Sequence, residues 1–362
     1  MRETMAATTP DANRSEPRPF ALALALSGLF VGTVVAVDPS GLVPSGPARW
    51  TVTLAIMGVA VCALLARPVR VERATGAVWA ALVLLLFLAA IAGADSMHAW
   101  FGTPDRRLGW IAWCTFPLMF LCGQAITSAL ARRLVLRGAA IAAVLLGAWC
   151  VLERMGWSLI DESFAGQRVG GPFGQPAYVG AAAVLFALLA AGVAFDRDES
   201  RGWRLVGGFG ALLSGAALLL SQTRGAWVGV VVALVLLAAR HGRVVRRHWR
   251  AGVVGLAAVV LLFVVTPLGG RVADGFDVGR GTTQGRFDDW AVGVRVVAHH
   301  PVLGVGPEGY RVVFPQVVSA RYVQRHGTAV IPDRAHNGLI DVAVSGGVGA
   351  GLLYAALLGM MV

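Results

Sequence analysis

Lysine is absent from this chain: all 31 basic residues are arginine, set against 20 acidic ones. The net charge of +11 therefore rests on guanidinium groups alone, which bind oxyanions through paired, planar donors. Charge of either sign is scarce, at 14% of residues, where a soluble domain carries about a quarter. That scarcity, with 57% hydrophobic residues and a mean hydropathy of +0.69, excludes a water-soluble enzyme. No basic helix or aromatic–basic ribbon is present, so a nucleic-acid partner is excluded as well. Cysteine is sparse too. Cys62, Cys114, Cys122 and Cys150 all lie inside apolar runs, with no CxxC pair and no metal-ligand spacing. They read as small hydrophobes, which leaves neither a disulfide framework nor a zinc site.

What is present is a series of long apolar runs. They fall at 20–37, 49–66, 75–93, 108–126, 134–153, 176–195, 203–221, 224–240, 251–267 and 337–362, each near the length that crosses a bilayer. The fold class this predicts is all-α: a polytopic transmembrane bundle of about ten helices, embedded in a lipid bilayer. Residues 1–19 are polar and rich in Pro, Ser and Thr, and read as a disordered cytoplasmic tail. The run 20–37 lacks a strong basic flank and a clean cleavage site, so it reads as a retained helix. Residues 20–362 then form one transmembrane domain. Gly and Ala within the runs allow helices to approach closely.

Arginine placement orients the bundle. Alternate short connections hold Arg67, Arg70 and Arg73; Arg132, Arg133 and Arg137; Arg197, Arg201 and Arg204; and Arg240, Arg243, Arg246, Arg247 and Arg250. The intervening connections hold fewer. By the positive-inside rule the N-terminus and the arginine-rich loops face the cytoplasm. Residues 268–336 then make one large extracytoplasmic loop, and long loops in compact proteins are usually functional or disordered. This one is too patterned for disorder. Phe287, Trp290, Val294 and Val297 recur at helical spacing, predicting an amphipathic helix that lies on the membrane surface.

Four polar clusters fall on the external side. Gln167-Arg168-Val169-Gly170-Gly171-Pro172-Phe173-Gly174-Gln175-Pro176 imposes a tight backbone path before a helix, and reads by itself as a turn with Arg168 as an interfacial anchor. Ser221-Gln222-Thr223-Arg224-Gly225 sets an arginine at the membrane edge beside a helix start, a pairing that favours an anion; a snorkelling arginine is the plainer alternative. In Gly285-Arg286-Phe287-Asp288-Asp289-Trp290, Arg286 opposes the helix dipole, a conflict resolved by a bound phosphate or by pairing with Asp288 or Asp289. In Asp333-Arg334-Ala335-His336-Asn337, a histidine able to exchange a proton near neutral pH stands among charged neighbours. Two further patterns are set aside. Gly304-Val305-Gly306-Pro307-Glu308-Gly309 fits GxGxxG, but Pro307 interrupts it and no βαβ unit surrounds it, so it reads as a turn. Adjacent His299 and His300 do not face one ligand on a helix.

Taken in order, Ser221-Gln222-Thr223-Arg224-Gly225-Ala226-Trp227, Arg286 to Trp290, His300-Pro301-Val302-Leu303-Gly304-Val305-Gly306 and Ala335-His336-Asn337 resemble the O-antigen ligase family, which also includes O-antigen polymerases and related oligosaccharide transferases. The likeness covers roughly residues 165–355. Gly171-Pro172-Phe173-Gly174-Gln175-Pro176 resembles the family's G-x-F-G-N-P-N turn, with Gln175 and Ala177 in place of the usual asparagines and Thr223 where serine is common.

The resemblance implies a cofactor-free and metal-independent membrane glycosyltransferase of polysaccharide and cell-envelope biosynthesis. It would sit in a bacterial cytoplasmic (inner) membrane and take a glycan from a lipid-linked oligosaccharide, undecaprenyl pyrophosphate carrying the sugar, to a glycan, lipid or protein acceptor. It implies His336 as the catalytic residue and Arg224 and Arg286 as pyrophosphate ligands; Arg168 and Arg334 are weaker assignments made on position. Two rival readings are an anion or solute transporter, which a clear inverted repeat would favour, and a scaffold with the loop as its binding platform.

Overall fold

The computed structural model of the protein describes residues 17–41, 43–66, 69–104, 106–160, 168–240, 242, 281–328 and 331–360. Among these it is all-helical: α1 (Pro17–Val35), α2 (Pro47–Leu65), α3 (Arg73–Ala92), α4 (Ser96–Phe101), α5 (Trp110–Ala125), α6 (Ala129–Arg154), a 3₁₀ turn (Gly171–Phe173), α7 (Pro176–Phe195), α8 (Arg201–Ser221), α9 (Arg224–Arg240), α10 (Gly281–His299), α11 (Tyr310–Val317), α12 (Ala320–His326) and α13 (Gly338–Met360). Helix starts follow local chemistry. Pro47 and Pro176 occupy first-turn positions where no amide is required, and the hydroxyls of Ser128 and Ser200 cap α6 and α8 by accepting from Ala131 and Trp203 N–H.

Six described helices are long and apolar enough to cross a membrane: α2, α3, α6, α7, α8 and α13. Two shorter apolar helices, Pro19–Val35 and Trp110–Ala125, accompany them. The expectation of about ten spans is thus met only in part. The run 251–267 lies outside the described residues, as do the tail 1–16 and residues 268–280 of the large loop.

The largest core runs where α6 packs against α1, α7 and α8. Small residues make this possible, because lipid supplies no hydrophobic drive between helices and close van der Waals contact must serve instead. Ala139, Ala140, Ala142 and Ala143 are fully buried, and a Cβ on Gly147 would lie 2.4 Å from Leu213 Cβ. Ser27 and Ser214 donate across the interfaces to the carbonyls of Leu134 and Ala143, each at 3.0 Å.

Side-chain contacts sort the connections to two ends. At one end Arg133 meets Asp198 at 3.1 Å and Arg137 meets Glu199 at 2.7 Å, joining two connections read above as cytoplasmic. At the other end Arg49 of α2 donates to the carbonyls of Thr33 and Pro172. There too Thr223 Oγ1 donates to the Pro176 carbonyl at 2.9 Å, and Arg106 reaches Asp333. The clusters read as external therefore share one end of the bundle.

Residues 281–328 form three helices around a small core of their own, including Val292, Val296, Tyr310, Phe314 and Tyr322. The amphipathic helix is present as α10, but its buried face is Asp289, Val292, Gly293 and Val296. The stripe expected from spacing lies to the side of that face, with Phe287 45% and Val294 56% exposed. The helix is apolar on two sides, and periodicity alone cannot separate a core stripe from a membrane-facing one.

The GxGxxG pattern is the clamp that ties this unit to the bundle. Val305 N–H donates to the Val344 carbonyl at 2.9 Å, Ala94 N–H to the Val305 carbonyl at 3.1 Å, and Val348 N–H to the Pro301 carbonyl at 2.9 Å. The turn can enter because α13 breaks at Gly346 and Gly347, the latter at φ +80°. A Cβ on Gly304 would lie 2.2 Å from the Val344 carbonyl oxygen, and one on Gly347 equally close to that of Val302.

Candidate functional site

The loop before α13 is shaped by one carboxylate. Asp341 Oδ1 accepts from Ala335 N–H at 2.8 Å and Oδ2 from Asn337 N–H at 3.1 Å. Asn337 caps the helix by accepting from Leu339 and Ile340 N–H, at 3.1 and 3.4 Å. His336, tethered on both sides, is driven into the left-handed region at φ +58°, sparsely populated for a side chain of this size. Its imidazole thereby projects away from the loop, 30% exposed.

The surroundings of His336 are cationic. Burial first, and then Arg286, hold its pKa down to about 4 against an opposing pull from Asp333, with Arg106 and Arg334 adding smaller contributions in the same direction as Arg286. The imidazole is therefore neutral at pH 7 and able to accept a proton. Asp333 is the hub of the cluster: its Oδ2 lies 2.6 Å from Arg106 Nη1 and 3.4 Å from Arg334 Nε, and its Oδ1 lies 3.9 Å from His336 Nε2. The Arg106 contact is one of charge rather than an aligned hydrogen bond. Glu308, 5% exposed and 4.0 Å from Arg334, has its pKa raised by burial, against the pull of Arg334 and Arg106.

Arg286 stands on the first turns of α10. The two acidic neighbours that would neutralise it are engaged elsewhere. Asp288 is taken by Arg325 at 3.1 Å and His326 at 2.9 Å, and Asp289 accepts from Tyr322 at 2.8 Å. Among the described residues Arg286 makes no ion pair, although its field acts on both His336 and Asp289.

The remaining two candidate arginines sit on the neighbouring turn. Arg168 Nε donates to the Ser221 carbonyl at 3.1 Å, and its Nη2 lies 3.5 Å from Thr223 Oγ1. Arg224 is the first residue of α9, half-buried. Gly170 and Gly171 N–H both donate to Glu153, at 2.8 and 2.7 Å, so a carboxylate on α6 holds the Gly-Pro turn as Asp341 holds the histidine loop. Arg286, Arg334 and His336 thus form one group, and Arg168 and Arg224 another. A cavity of about 340 Å³ joins their scaffolds, bounded by Phe173 and Gln175 of the turn and by Arg106 and Asp333.

Sequence patterns did not single out Arg106, Asp333, Glu308 or Asp341 as site residues. For Asp341 a signal exists in the Asn-x-x-x-Asp spacing at a helix start. Asp333 stands in the polar cluster around His336 and Glu308 in the GxGxxG pattern, but the roles of both, and of Arg106, appear only when distant loops meet.

With this geometry in view, the comparisons are brief. The family model Wzy_C, described as O-antigen ligase, matches residues 209–355. That span runs from α8 through most of α13 and includes Arg224, Arg286, Arg334 and His336. No curated protein matches the chain.

Proposed function

We propose that this chain, O-antigen ligase-related through residues 209–355, is a membrane glycosyltransferase that moves a glycan from undecaprenyl pyrophosphate to an acceptor hydroxyl. The observation that carries the proposal is a neutral imidazole surrounded by guanidinium groups at one end of a membrane bundle. A sugar pyrophosphate is already an activated donor, and its transfer has two physical requirements. Negative charge on the departing diphosphate must be stabilised, and the acceptor must lose a proton.

In this reading the acceptor oxygen attacks the anomeric carbon as the bond from that carbon to the pyrophosphate oxygen breaks. The electron pair leaves with the lipid diphosphate. The hydroxyl proton passes to the unprotonated ring nitrogen of His336, and the anomeric centre inverts. Arg224 and Arg286 bind the diphosphate, with Arg334 and Arg168 supporting, and no metal takes part. The arginine distribution supports reading this end of the bundle as the outer face of the cytoplasmic membrane.

The test is release of undecaprenyl pyrophosphate by purified protein in lipid nanodiscs, given the lipid-linked glycan and a panel of lipid, glycan and protein acceptors. Release that depends on acceptor, persists in a chelator and is lost in His336→Ala supports the reading. No release with any acceptor, or full release by His336→Ala, ends it.

A further inference from the structure

The connection between α4 and α5 is a tight, rigid loop. A Cβ on Gly109 would lie 2.5 Å from the Trp100 carbonyl, and Arg106 and Arg107 N–H both donate to the Thr103 carbonyl, at 3.2 and 2.8 Å. At its tip Arg107 is held at φ +56°, a strained conformation for an arginine. The Nε of that guanidinium is buried with no hydrogen-bond partner among the described residues. Two unfavourable features thus coincide on one side chain, and Arg107 faces a cavity. Strain and an unsatisfied buried donor persist together where something outside the chain completes the site.

The cavity, about 340 Å³, runs between α2 and α5. Its mouth carries Arg106, Arg107 and Arg334, and its walls below are Trp50, Ala112, Phe116 and Met119. From Ala112 to Met119 it follows α5 for roughly 10 Å at 1.5 Å per residue. The ligand that fits has an anionic head and an apolar tail. Arg106 and Arg334 already share Asp333, so they bound the head without being fully available to it. Arg107 is the donor left over.

We propose that the α2–α5 groove holds the first isoprene units of the lipid pyrophosphate and that Arg107 is a phosphate ligand. The inference rests on the glycosyltransferase reading for the identity of the lipid. It adds a third arginine-bearing segment to the site, one that lies outside residues 209–355. Arg107 touches the leaving group from the α4–α5 connection, and the groove fixes the direction in which the lipid departs.

Binding can be measured apart from transfer. Full-length protein in nanodiscs is titrated with undecaprenyl pyrophosphate, undecaprenyl phosphate or phosphatidylglycerol, and occupancy is read by native mass spectrometry. Arg107→Gly is the informative variant, because glycine relieves the left-handed strain. It should keep or raise the melting temperature while weakening undecaprenyl pyrophosphate binding about tenfold to hundredfold, the loss of one or two charge-assisted hydrogen bonds. Ala112→Trp should fill the groove and lower occupancy similarly, whereas Arg201→Ala, an exposed position at the opposite end of the bundle, should bind as the natural chain does. Unchanged binding in both Arg107→Gly and Ala112→Trp overturns the proposal, and so does phosphatidylglycerol competing as well as undecaprenyl pyrophosphate. If binding behaves as stated but no acceptor supports release, the transferase reading fails while the groove stands.

Discussion

Two neighbouring segments are held in place by opposite means. The turn at 301–309 is fixed by backbone amides and carbonyls, with glycines that let α3 and the broken α13 come within contact distance. The loop at 331–337 is fixed by charge: Asp341 holds its amides, and Asp333 balances Arg106, Arg334 and His336. Backbone contacts carry no protonation state, so they make a permanent joint. A charge-held loop answers to any new charge that arrives. On the proposed reading, an anionic lipid head entering among Arg106, Arg286 and Arg334 competes with Asp333 for their donors, so this loop can tighten around it while the joint behind stays still.

Breaking the joint should have the largest effect. Gly304→Val drives a side chain into the Val344 carbonyl at a left-handed position, and the protein should fail to give a monodisperse peak in detergent chromatography. A normal elution profile would show that the joint is dispensable. The charged loop should break differently, with assembly intact. His336→Ala should lower turnover by about 10²- to 10⁴-fold, the usual contribution of a general base, with an unchanged melting temperature.

Arg286→Ala should cost about 10²- to 10³-fold in turnover, comparable to losing one preorganised donor to developing charge. Asp341→Ala leaves the Ala335 and Asn337 amides without their acceptor, each worth about 1–3 kcal/mol when buried. It should lower the melting temperature by a few degrees and reduce turnover by misplacing His336.

The smallest effect, and the sharpest comparison, is in pH. The pKa of His336 lies near 4, below its ordinary value of 6.5. The imidazole is therefore neutral above pH 4, and the acid limb of kcat/KM should fall near that pH rather than near 6.5. Between those values the unfolded chain holds the proton and the folded chain does not, so stability should decline as pH drops from 6.5 toward 4. A bound pyrophosphate stabilises the imidazolium, so the acid limb of kcat should lie at higher pH than that of kcat/KM. Coincident limbs would mean that no anion sits beside His336.

The bundle was legible in the sequence because a bilayer imposes one length on every crossing. Apolar runs located α2, α3, α7 and α9 within about two residues. The short elements were not legible: α4, α11 and α12 have 6, 8 and 7 residues, and the buried apolar positions of α11 and α12 serve a local core instead of lipid. Of the site, Arg224, Arg286 and His336 could be named because they stand in motifs that resemble those of the O-antigen ligase family. Asp333 was quoted beside His336, but its role as a hub was not legible because its partner Arg106 lies more than two hundred positions away. Arg107 was visible only as a count toward membrane orientation, and its backbone angle and buried Nε are facts of the fold.

The break in α13 also imposes an order of manufacture. The turn at 301–309 finds one acceptor, Val344, and one of its donors, Val348, in residues made after it. Until that stretch has left the ribosome and entered the bilayer, α10–α12 have no seat and Asp341 cannot arrange His336. The helices made before residues 344–348 therefore lack this anchor until that stretch is in place.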